Sequence, residues 1–171
     1  MAVESDAYKA GMRRLAAGVT LITTRGASEP TGLTATAVCS VSADPPILLC
    51  CVNRNSASYA AVLEAGVFAV NVLSAADRSL SDRFAGRMTP AEKFAEGTWR
   101  VLETGSPVLT SSLASFDCRV VQAVDAGTHG VIFGEVQAVT VAEDPQVHGL
   151  LYADGGYGRF TTAVDDIDQG F

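Results

Sequence analysis

The stretch Gly32–Pro46, GLTATAVCSVSADPP, constrains the fold more than any other part of the chain. It is β-prone, but from Thr34 to Ser42 its side chains are small and none is charged. A slim strand of this kind leaves its backbone groups open to close approach. The space beside it is therefore occupied by a tightly packed neighbouring strand, by a second chain, or by a planar heteroaromatic ring such as flavin. Backbone and hydroxyl groups of the strand would form hydrogen bonds to such a ring.

Length and composition favour one globular domain that does not bind polyanions. The chain has 171 residues, 48% of them hydrophobic and 18% charged, which is typical of a folded domain. The net charge of −7 and the lack of a basic stripe disfavour nucleic acid and membrane as partners. The opening MAVESDAYKA has no apolar signal segment, and no apolar run is long enough to span a membrane. We predict a single domain, residues 1–171, in the cytoplasm.

The four cysteines predict neither a disulfide nor a metal site. Cys50 and Cys51 are adjacent, so in a strand they point to opposite faces, and no CxxC pair is present. Only two histidines, His129 and His148, are available to join them in a zinc site. We expect reduced, buried cysteines, as is usual in the cytoplasm.

Hydrophobic periodicity and turn residues predict about seven strands and two or three helices. Ser56 and Gly66 are suited to the two ends of one helix. The continuously apolar run at 47–52 indicates a strand buried on both faces. The predicted elements are helices at 5–17, 57–65 and 75–86, and strands at 18–24, 32–43, 47–52, 67–73, 115–124, 129–141 and within 149–160. Asp44–Pro46 is predicted to break the ladder between the second and third strands. The acidic residues 161–171 are predicted to form a loose tail beyond a core of about 10–160.

This order of elements is typical of a mainly β fold, an antiparallel barrel with helical insertions. The alternating β-α units of a Rossmann fold are lacking, and the glycines of GGYGRF do not lie between a strand and a helix. No nucleophile constellation and no paired carboxylates are recognisable. An enzyme of this kind would therefore depend on a cofactor for its chemistry.

Two polar segments are candidates for holding phosphate. Residues 53–58, NRNSAS, follow the apolar strand at a helix N-terminus, where free N–H groups and Arg54 attract an anion. Capping of the helix by Ser56 is the alternative. A cationic cluster of Arg83, Arg87 and Lys93 fits either a dianionic phosphate or an ordinary solvated helix face.

His129 is the third candidate. It lies between Gly127 and Gly130 at the start of a strand pattern rather than on an apolar stripe. A neutral histidine there can donate to an amide or a pyrophosphate, and the glycines would let a ligand come close. A turn with an ordinary polar residue is the alternative.

Several of these motifs together resemble the short-chain flavin reductases, the small components of two-component flavin-dependent monooxygenases. The resemblance is carried by GVTLITTRG, TGLTATAVCSVSADPPILLCCVNRNSAS, FAVNVLSAADRSLSDRFAG, SFDCRVVQAVDAGTHGVIFGEVQAV and HGLLYADGGY, in order over about residues 10–160. The chain is most similar to the branches that serve 4-hydroxyphenylacetate 3-monooxygenase and pyrimidine utilisation.

The resemblance implies an FMN-binding split β-barrel that forms a homodimer. It implies hydride transfer from NADH or NADPH to FMN or FAD, followed by release of reduced flavin to a monooxygenase. By the same resemblance, flavin would be contacted by Thr34, Ala35, Thr36, Ala37, Ser40, Val41, Ser42, Cys51, Asn53, Ser56, Ser58, Phe84 and Ala85. The nicotinamide nucleotide would be contacted by His129 and Tyr157. No residue is assigned as catalytic, because hydride transfer requires only positioning.

Two departures from the family pattern bear on the dinucleotide. Thr128 stands where many relatives have Asp, so contacts known for the Asp-bearing branch do not transfer. The basic residues that the nearest relatives carry around Gly155 and Gly156 are missing here, which favours NADH over NADPH. A non-catalytic flavin-binding protein or a bound-flavin electron carrier is the alternative function, and a scaffold subunit that has lost flavin is a third.

Overall fold

A seven-stranded antiparallel sheet contains most of the strand residues of the protein, as seen in a computed structural model that describes residues 3–144 and 148–160. The helices of this part are α1 (Ser5–Met12), α2 (Ala57–Ala65), α3 (Arg78–Ala85), which a 3₁₀ turn (Ala75–Asp77) precedes, and α4 (Pro90–Phe94). The strands are β1 (Ala17–Gly18), β2 (Thr20–Thr24), β3 (Thr31–Ala35), β4 (Val38–Ala43), β5 (Pro46–Asn53), β6 (Val67–Val72), β7 (Trp99–Val101), β8 (Pro107–Leu109), β9 (Ala114–Ala126), β10 (His129–Val141), β11 (Leu150–Ala153) and β12 (Gly156–Arg159). The prediction of a mainly β, antiparallel fold is confirmed.

The large sheet curls because its two edge strands are consecutive in the chain. Its order is β3-β2-β6-β9-β10-β5-β4, and only Thr36 and Ala37 separate β3 from β4. Such a link spans at most about 10 Å, so the two edges must come together. We call the place where the two edge strands meet, at Thr36–Ala37, the seam. Next to it, the backbone N–H of Cys51 on β5 donates to the carbonyl of Ala37 at 2.9 Å.

The sequence predicts one strand over 32–43, and this is wrong at Thr36–Ala37. Two residues leave the ladder there because the chain passes from one edge of the sheet to the other. The described part also contains more strands than predicted, since β1, β7, β8, β11 and β12 are short elements of the two smaller sheets.

Two hydrophobic clusters form the core, one on each face of β2. Ile22 belongs to the cluster inside the curled sheet, with Phe68, Ile132 and Val62 of α2. Leu21 belongs to the outer cluster, which α3 covers. All five residues of β2 are buried, whereas β5 alternates between buried and half-buried positions. The expectation that residues 47–52 are buried on both faces is therefore wrong; the helices α2 and α3 pack against β2 and β3 instead.

Helix α2 forms as its sequence predicts. The Ser56 hydroxyl accepts from the N–H of Ser58 at 3.2 Å, and Gly66 ends the helix at a φ of 66°, a left-handed conformation that glycine adopts without strain. Helix α1 instead ends at Met12, five residues before the predicted end, because Asp154 N–H donates to the Arg13 carbonyl at 2.7 Å and Ala17 pairs with Tyr152. Within the described residues, no helix combines the length and apolarity that crossing a bilayer requires. The predicted acidic tail, 161–171, lies outside the described residues.

The four cysteines differ in exposure, and this difference predicts how many thiols react in the native protein. Cys50 and Cys118 are buried, Cys51 is half-buried and Cys39 is exposed, so the expectation of four buried thiols is wrong for Cys39. Burial raises the pKa of Cys50 to about 12 and raises that of Cys118 as well. Because the thiolate is the reactive form, we expect no more than two thiols to react with Ellman's reagent at pH 8 in the native protein, and four in denaturant. Four fast-reacting thiols in the native protein would contradict this packing.

Candidate functional site

A cavity of about 230 Å³ opens beside β3, where the strand is made of small residues. Helix α3 and the β11–β12 hairpin form its other walls. Its lining residues are Val19, Thr34, Ala35, Thr36, Ser81, Ala85, Tyr152 and Tyr157. Five predicted ligand contacts, Thr34, Ala35, Thr36, Ala85 and Tyr157, thus lie around one space.

The side chains of β3 divide between this cavity and the core. Thr34 donates from its hydroxyl to the Ser81 carbonyl at 2.6 Å, which ties β3 to α3. Ala35 is 8% exposed and belongs to the inner hydrophobic cluster, although it also borders the cavity. A large residue at Ala35 would therefore press into the core, whereas one at Ala85, which is exposed, would enter the cavity.

Tyr157 holds the β11–β12 hairpin against α3. Its hydroxyl lies 2.9 Å from the Ser81 hydroxyl and donates to Asp82 Oδ1 at 2.9 Å. The Arg78 guanidinium lies 5.0 Å from the centre of its ring, and Tyr152 packs edge-on at 5.4 Å between ring centres. Burial, followed by the carboxylate of Asp82, raises the pKa of Tyr157, so the phenol stays protonated and able to donate.

A second group of predicted residues continues from the seam of the sheet. Cys51 lies beside Ala37, to whose carbonyl its backbone N–H donates. Asn53, at the end of β5, pairs with His129 at the start of β10. His129 is exposed, and its Nδ1 lies 2.9 Å from the Thr128 hydroxyl. The path from Thr36 through Ala37, Cys51 and Asn53 to His129 leads from the seam across β5 to β10. We call it the polar strip after the side chains of Thr36, Asn53 and His129.

Arg54, Tyr59 and Asp125 clamp the turn that carries His129. Arg54 pairs with Asp125 at 2.9 Å, and Tyr59 donates to the same carboxylate at 3.2 Å. Burial, and after it Asp125, raises the pKa of Tyr59, which remains a donor. Gly130 serves this packing: a Cβ there would lie 2.3 Å from the Tyr59 ring. Arg54 is thus engaged by protein, and it is Tyr59 rather than a ligand that approaches Gly130 closely.

Ser40, Val41 and Ser42 lie along β4, beyond the seam from the first cavity. Ser40 and Ser42 border a separate cavity of about 310 Å³, together with the aromatic ring of Phe116. The register of β4 against β5 shifts between Ser40 and Ser42, so Val41 is the bulged residue and is 47% exposed. These three residues do not meet the others around one space within a single chain.

Three further predicted contacts are used inside the protein. Ser56 caps α2, and the buried Ser58 hydroxyl lies 3.1 Å from the Thr31 hydroxyl. Phe84 is 1% exposed and packs against Phe94 and Trp99, so its ring fills the outer core and Ala85 alone of this pair reaches the cavity.

Two residues of the predicted cationic cluster, Arg83 and Lys93, are similarly engaged, and Arg87 is exposed. Arg83 contacts Glu96 at 2.9 Å and donates to the Glu92 carbonyl at 2.9 Å. Lys93 donates to the Gly32 carbonyl at 3.1 Å, and partial burial lowers its pKa. Both side chains fasten α3, α4 and β3 to one another.

Sequence reasoning missed three residues that line the first cavity: Val19, Ser81 and Tyr152. Ser81 lies on the buried side of α3, together with Leu80 and Phe84. A small polar residue on that side was the one feature of the sequence that could have indicated a ligand contact. Tyr152 and Tyr157 are five residues apart in a segment with a turn at its centre, a spacing that places them together only once the hairpin is known.

Comparison with known proteins agrees with this arrangement. Residues 12–161 match the family model described as flavin reductase like domain, and the chain belongs to this family. It is 48% identical over 156 residues to FMN reductase (NADH) RutF 2 of Methylorubrum extorquens (strain PA1), which covers 91% of this chain and 90% of that protein.

Solved structures show the same likeness. The nitrilotriacetate monooxygenase component B homolog of Mycobacterium thermoresistibile has a TM-score of 0.84 at 33% identity, over 92% of this chain and 89% of that one. The NADH:FAD oxidoreductase SgcE6 of Streptomyces globisporus C-1027, in complex with NAD and FAD fragments, has a TM-score of 0.86 at 28% identity, over 96% and 99%. The family resemblance recognised in the sequence is confirmed.

Proposed function

We propose that this chain is an NADH-dependent flavin reductase that transfers hydride from NADH to FMN or FAD and releases the reduced flavin to a partner monooxygenase. One observation carries the proposal: the small residues of β3 border a cavity whose opposite wall is aromatic and which adjoins the polar strip ending at His129. The relatives named as NADH-dependent FMN reductase, as NADH:FAD oxidoreductase and as a monooxygenase component support the activity and the kind of partner.

The residues around the first cavity fit a flavin ring. Val19 and Ala85 offer apolar contact, Tyr152 and Tyr157 offer ring surfaces, and the Thr36 backbone lies outside the ladder of β3 and β4. Bound flavin would supply the hydride acceptor and bound NADH the hydride donor. The chain's own part is to orient: Tyr157 fixes the hairpin wall, and the Arg54–Asp125–Tyr59 clamp fixes the turn of His129.

The proposal extends to a homodimer built on the split β-barrel of this family, with the chain as a single domain. Exposed valines on β4, β9 and β10 support a second copy as partner, because pairing would remove their apolar surface from water. They are Val41, Val121, Val124, Val139 and Val141. Pairing there would also bring Ser40 and Ser42 of one copy near another chain. Sedimentation at micromolar concentration tests this point: a monomer would contradict it.

NADH is the proposed donor in preference to NADPH. The turn of the β11–β12 hairpin, Asp154 and Gly155, contributes no cation of its own. Two cations near this wall are already engaged by protein: Arg78 lies over the Tyr157 ring, and Arg14 pairs with Asp154. The additional phosphate of NADPH favours cations. The four free cysteines fit a reducing compartment and support the cytoplasm as location.

A turnover assay tests the proposed function. Purified protein mixed with NADH, FMN or FAD and air is expected to oxidise NADH far in excess of the protein concentration, and NADPH more slowly. A bound-flavin electron carrier would hold flavin through gel filtration and, without added flavin and with oxygen excluded, would oxidise no more than about one equivalent of NADH. A protein that neither turns over nor binds flavin in equilibrium dialysis would overturn the proposal.

His129→Ala is expected to raise the KM for NADH about fivefold, roughly 1 kcal/mol, with little change in the flavin KM. The reason is that His129 is exposed at the end of the polar strip, beyond the flavin cavity. His148→Ala, which changes the only other histidine, is the matched control. If His129→Ala altered the flavin KM alone, its assignment to NADH would be wrong.

A further inference from the structure

Ser81 of α3 is bonded to two walls of the first cavity. Its carbonyl accepts from the Thr34 hydroxyl of β3 at 2.6 Å, and its hydroxyl lies 2.9 Å from the Tyr157 hydroxyl of β12. Ser81 is 0% exposed to solvent, and it lines the cavity itself. The strand wall and the hairpin wall are therefore anchored on a single helical residue.

The direction of the hydrogen bonds around Tyr157 follows from its single phenolic hydrogen. Tyr157 donates to Asp82 Oδ1 at 2.9 Å, so its oxygen accepts from the Ser81 hydroxyl. Asp82 is exposed, and its ion pair with Arg78, at 4.0 Å, contributes little. Ser81 is thus the buried anchor of the Tyr157 hydroxyl, whereas Asp82 is an exposed one.

The helix that carries Ser81 is itself held by the core. Leu80 and Phe84, the residues before and three after Ser81, are buried in the outer hydrophobic cluster. The Phe84 ring packs edge-on against Phe94, with 5.1 Å between ring centres. Because packed side chains resist displacement, α3 gives Ser81 a fixed position, and its two hydrogen bonds fix the strand wall and the hairpin wall relative to each other.

We propose that Ser81 is a positioning residue for hydride transfer, which sets the width of the first cavity by holding Thr34 and Tyr157 at a fixed separation. The inference rests on the proposed function, because this width matters for the reaction only if hydride donor and acceptor meet there. Hydride transfer needs the reacting atoms about 3–3.5 Å apart, and a misplacement of about 1 Å can cost ~100-fold in rate. A loosened wall should therefore impair the reaction as well as flavin binding.

Ser81→Ala in the full-length protein tests the proposal. It is expected to raise the Kd for oxidised FMN about fivefold, the usual effect of losing one hydrogen bond, as measured by flavin fluorescence. The rate constant of flavin reduction should fall at least about tenfold, because the hairpin wall loses its buried anchor. Anaerobic single-turnover mixing of FMN and excess protein with saturating NADH gives this rate constant. Thermal unfolding shows separately whether the variant is folded.

Three further variants show whether the hydrogen bonds are the cause. Tyr157→Phe removes the other hydroxyl of the pair, so adding Ser81→Ala to it should change the FMN Kd and the rate constant by less than about twofold. Thr34→Val releases the strand wall and should lower the rate constant at least about threefold. Ser79→Ala is the matched control, because Ser79 is an exposed serine of the same helix whose hydroxyl donates to Glu96. It should leave both quantities unchanged.

Three results would overturn the proposal. An unchanged FMN Kd and rate constant in Ser81→Ala, with only a lower melting temperature, would make Ser81 a purely structural residue. Additive effects of Ser81→Ala and Tyr157→Phe would mean that the bond between their hydroxyls is not the cause. A wild-type protein that reduces no flavin would refute the proposed function and this inference with it, whereas either of the first two results with an active wild type refutes this inference alone.

Discussion

Ala85→Phe is expected to raise the KM for flavin at least about tenfold, or ~1.4 kcal/mol, while the protein stays folded. Ala85 is exposed at the last position of α3 and lines the first cavity, so a phenyl group there would occupy space that the proposed flavin ring needs. The cavity has only about 230 Å³, and one aromatic side chain takes up much of it. Steady-state NADH oxidation at varied FMN measures the effect.

Ala91→Phe on α4 is the matched control for this variant, since Ala91 is also exposed and helical but does not line the cavity. It should leave the flavin KM unchanged. Thermal unfolding of both variants shows whether the fold is intact. An unchanged flavin KM in folded Ala85→Phe would mean that flavin binds elsewhere. Ala35→Leu is the poorer test, because Ala35 is part of the inner core and its enlargement would disturb folding as well.

Gly130→Ala is expected to lower the free energy of unfolding by about 1–3 kcal/mol, the usual cost of overpacking. A Cβ at this position would lie 2.3, 2.6 and 2.6 Å from Cε2, Cζ and Oη of Tyr59. Tyr59 cannot easily retreat, because it is 9% exposed and bonded to Asp125. The melting temperature should fall by roughly 2–4 °C for each kcal/mol.

A double-mutant cycle separates this clash from a general effect of alanine. Tyr59→Leu removes the two ring carbons and the hydroxyl oxygen concerned, so adding Gly130→Ala to it should cost at least about 1 kcal/mol less than in the wild type. Gly158→Ala, where a Cβ meets nothing within 4 Å, is the control and should be nearly neutral. Additive effects of Gly130→Ala and Tyr59→Leu would contradict the packing described for the His129 turn.

The sequence was a good guide where local chemistry decides the structure. Ser56 and Gly66 bound α2 as their capping chemistry requires, and the long strand patterns predicted at 115–124 and 129–141 lie within β9 and β10. Burial depends on distant partners, and there the same reasoning failed. The apolar run at 47–52 looked doubly buried, but α3 covers β2, so Leu49 and Cys51 remain half-buried.

The candidate site was predictable to a similar extent. The small residues of β3, with Ala85 and Tyr157, were foreseen and border one cavity. Phe84 stays a prediction as a flavin contact. An aromatic residue beside a proposed site is compatible with a lid or with the core, and the contacts with Phe94 and Trp99 show that this ring packs in the outer core. Arg54, Arg83 and Lys93 appeared free to bind phosphate until their partners, Asp125, Glu96 and the Gly32 carbonyl, were known.

Thr36 and Ala37 set how far the large sheet curls, because they determine how close its two edge strands must come. The number of residues in this link therefore matters more than the identity of their side chains. Because the two residues are the whole covalent bridge between opposite edges, deleting either one would draw β3 and β4 out of register with their neighbours. An added residue would let the edges part. The Arg25–Pro30 loop joins the adjacent strands β2 and β3 and does not hold the two edges of the sheet together, so insertions there should be tolerated.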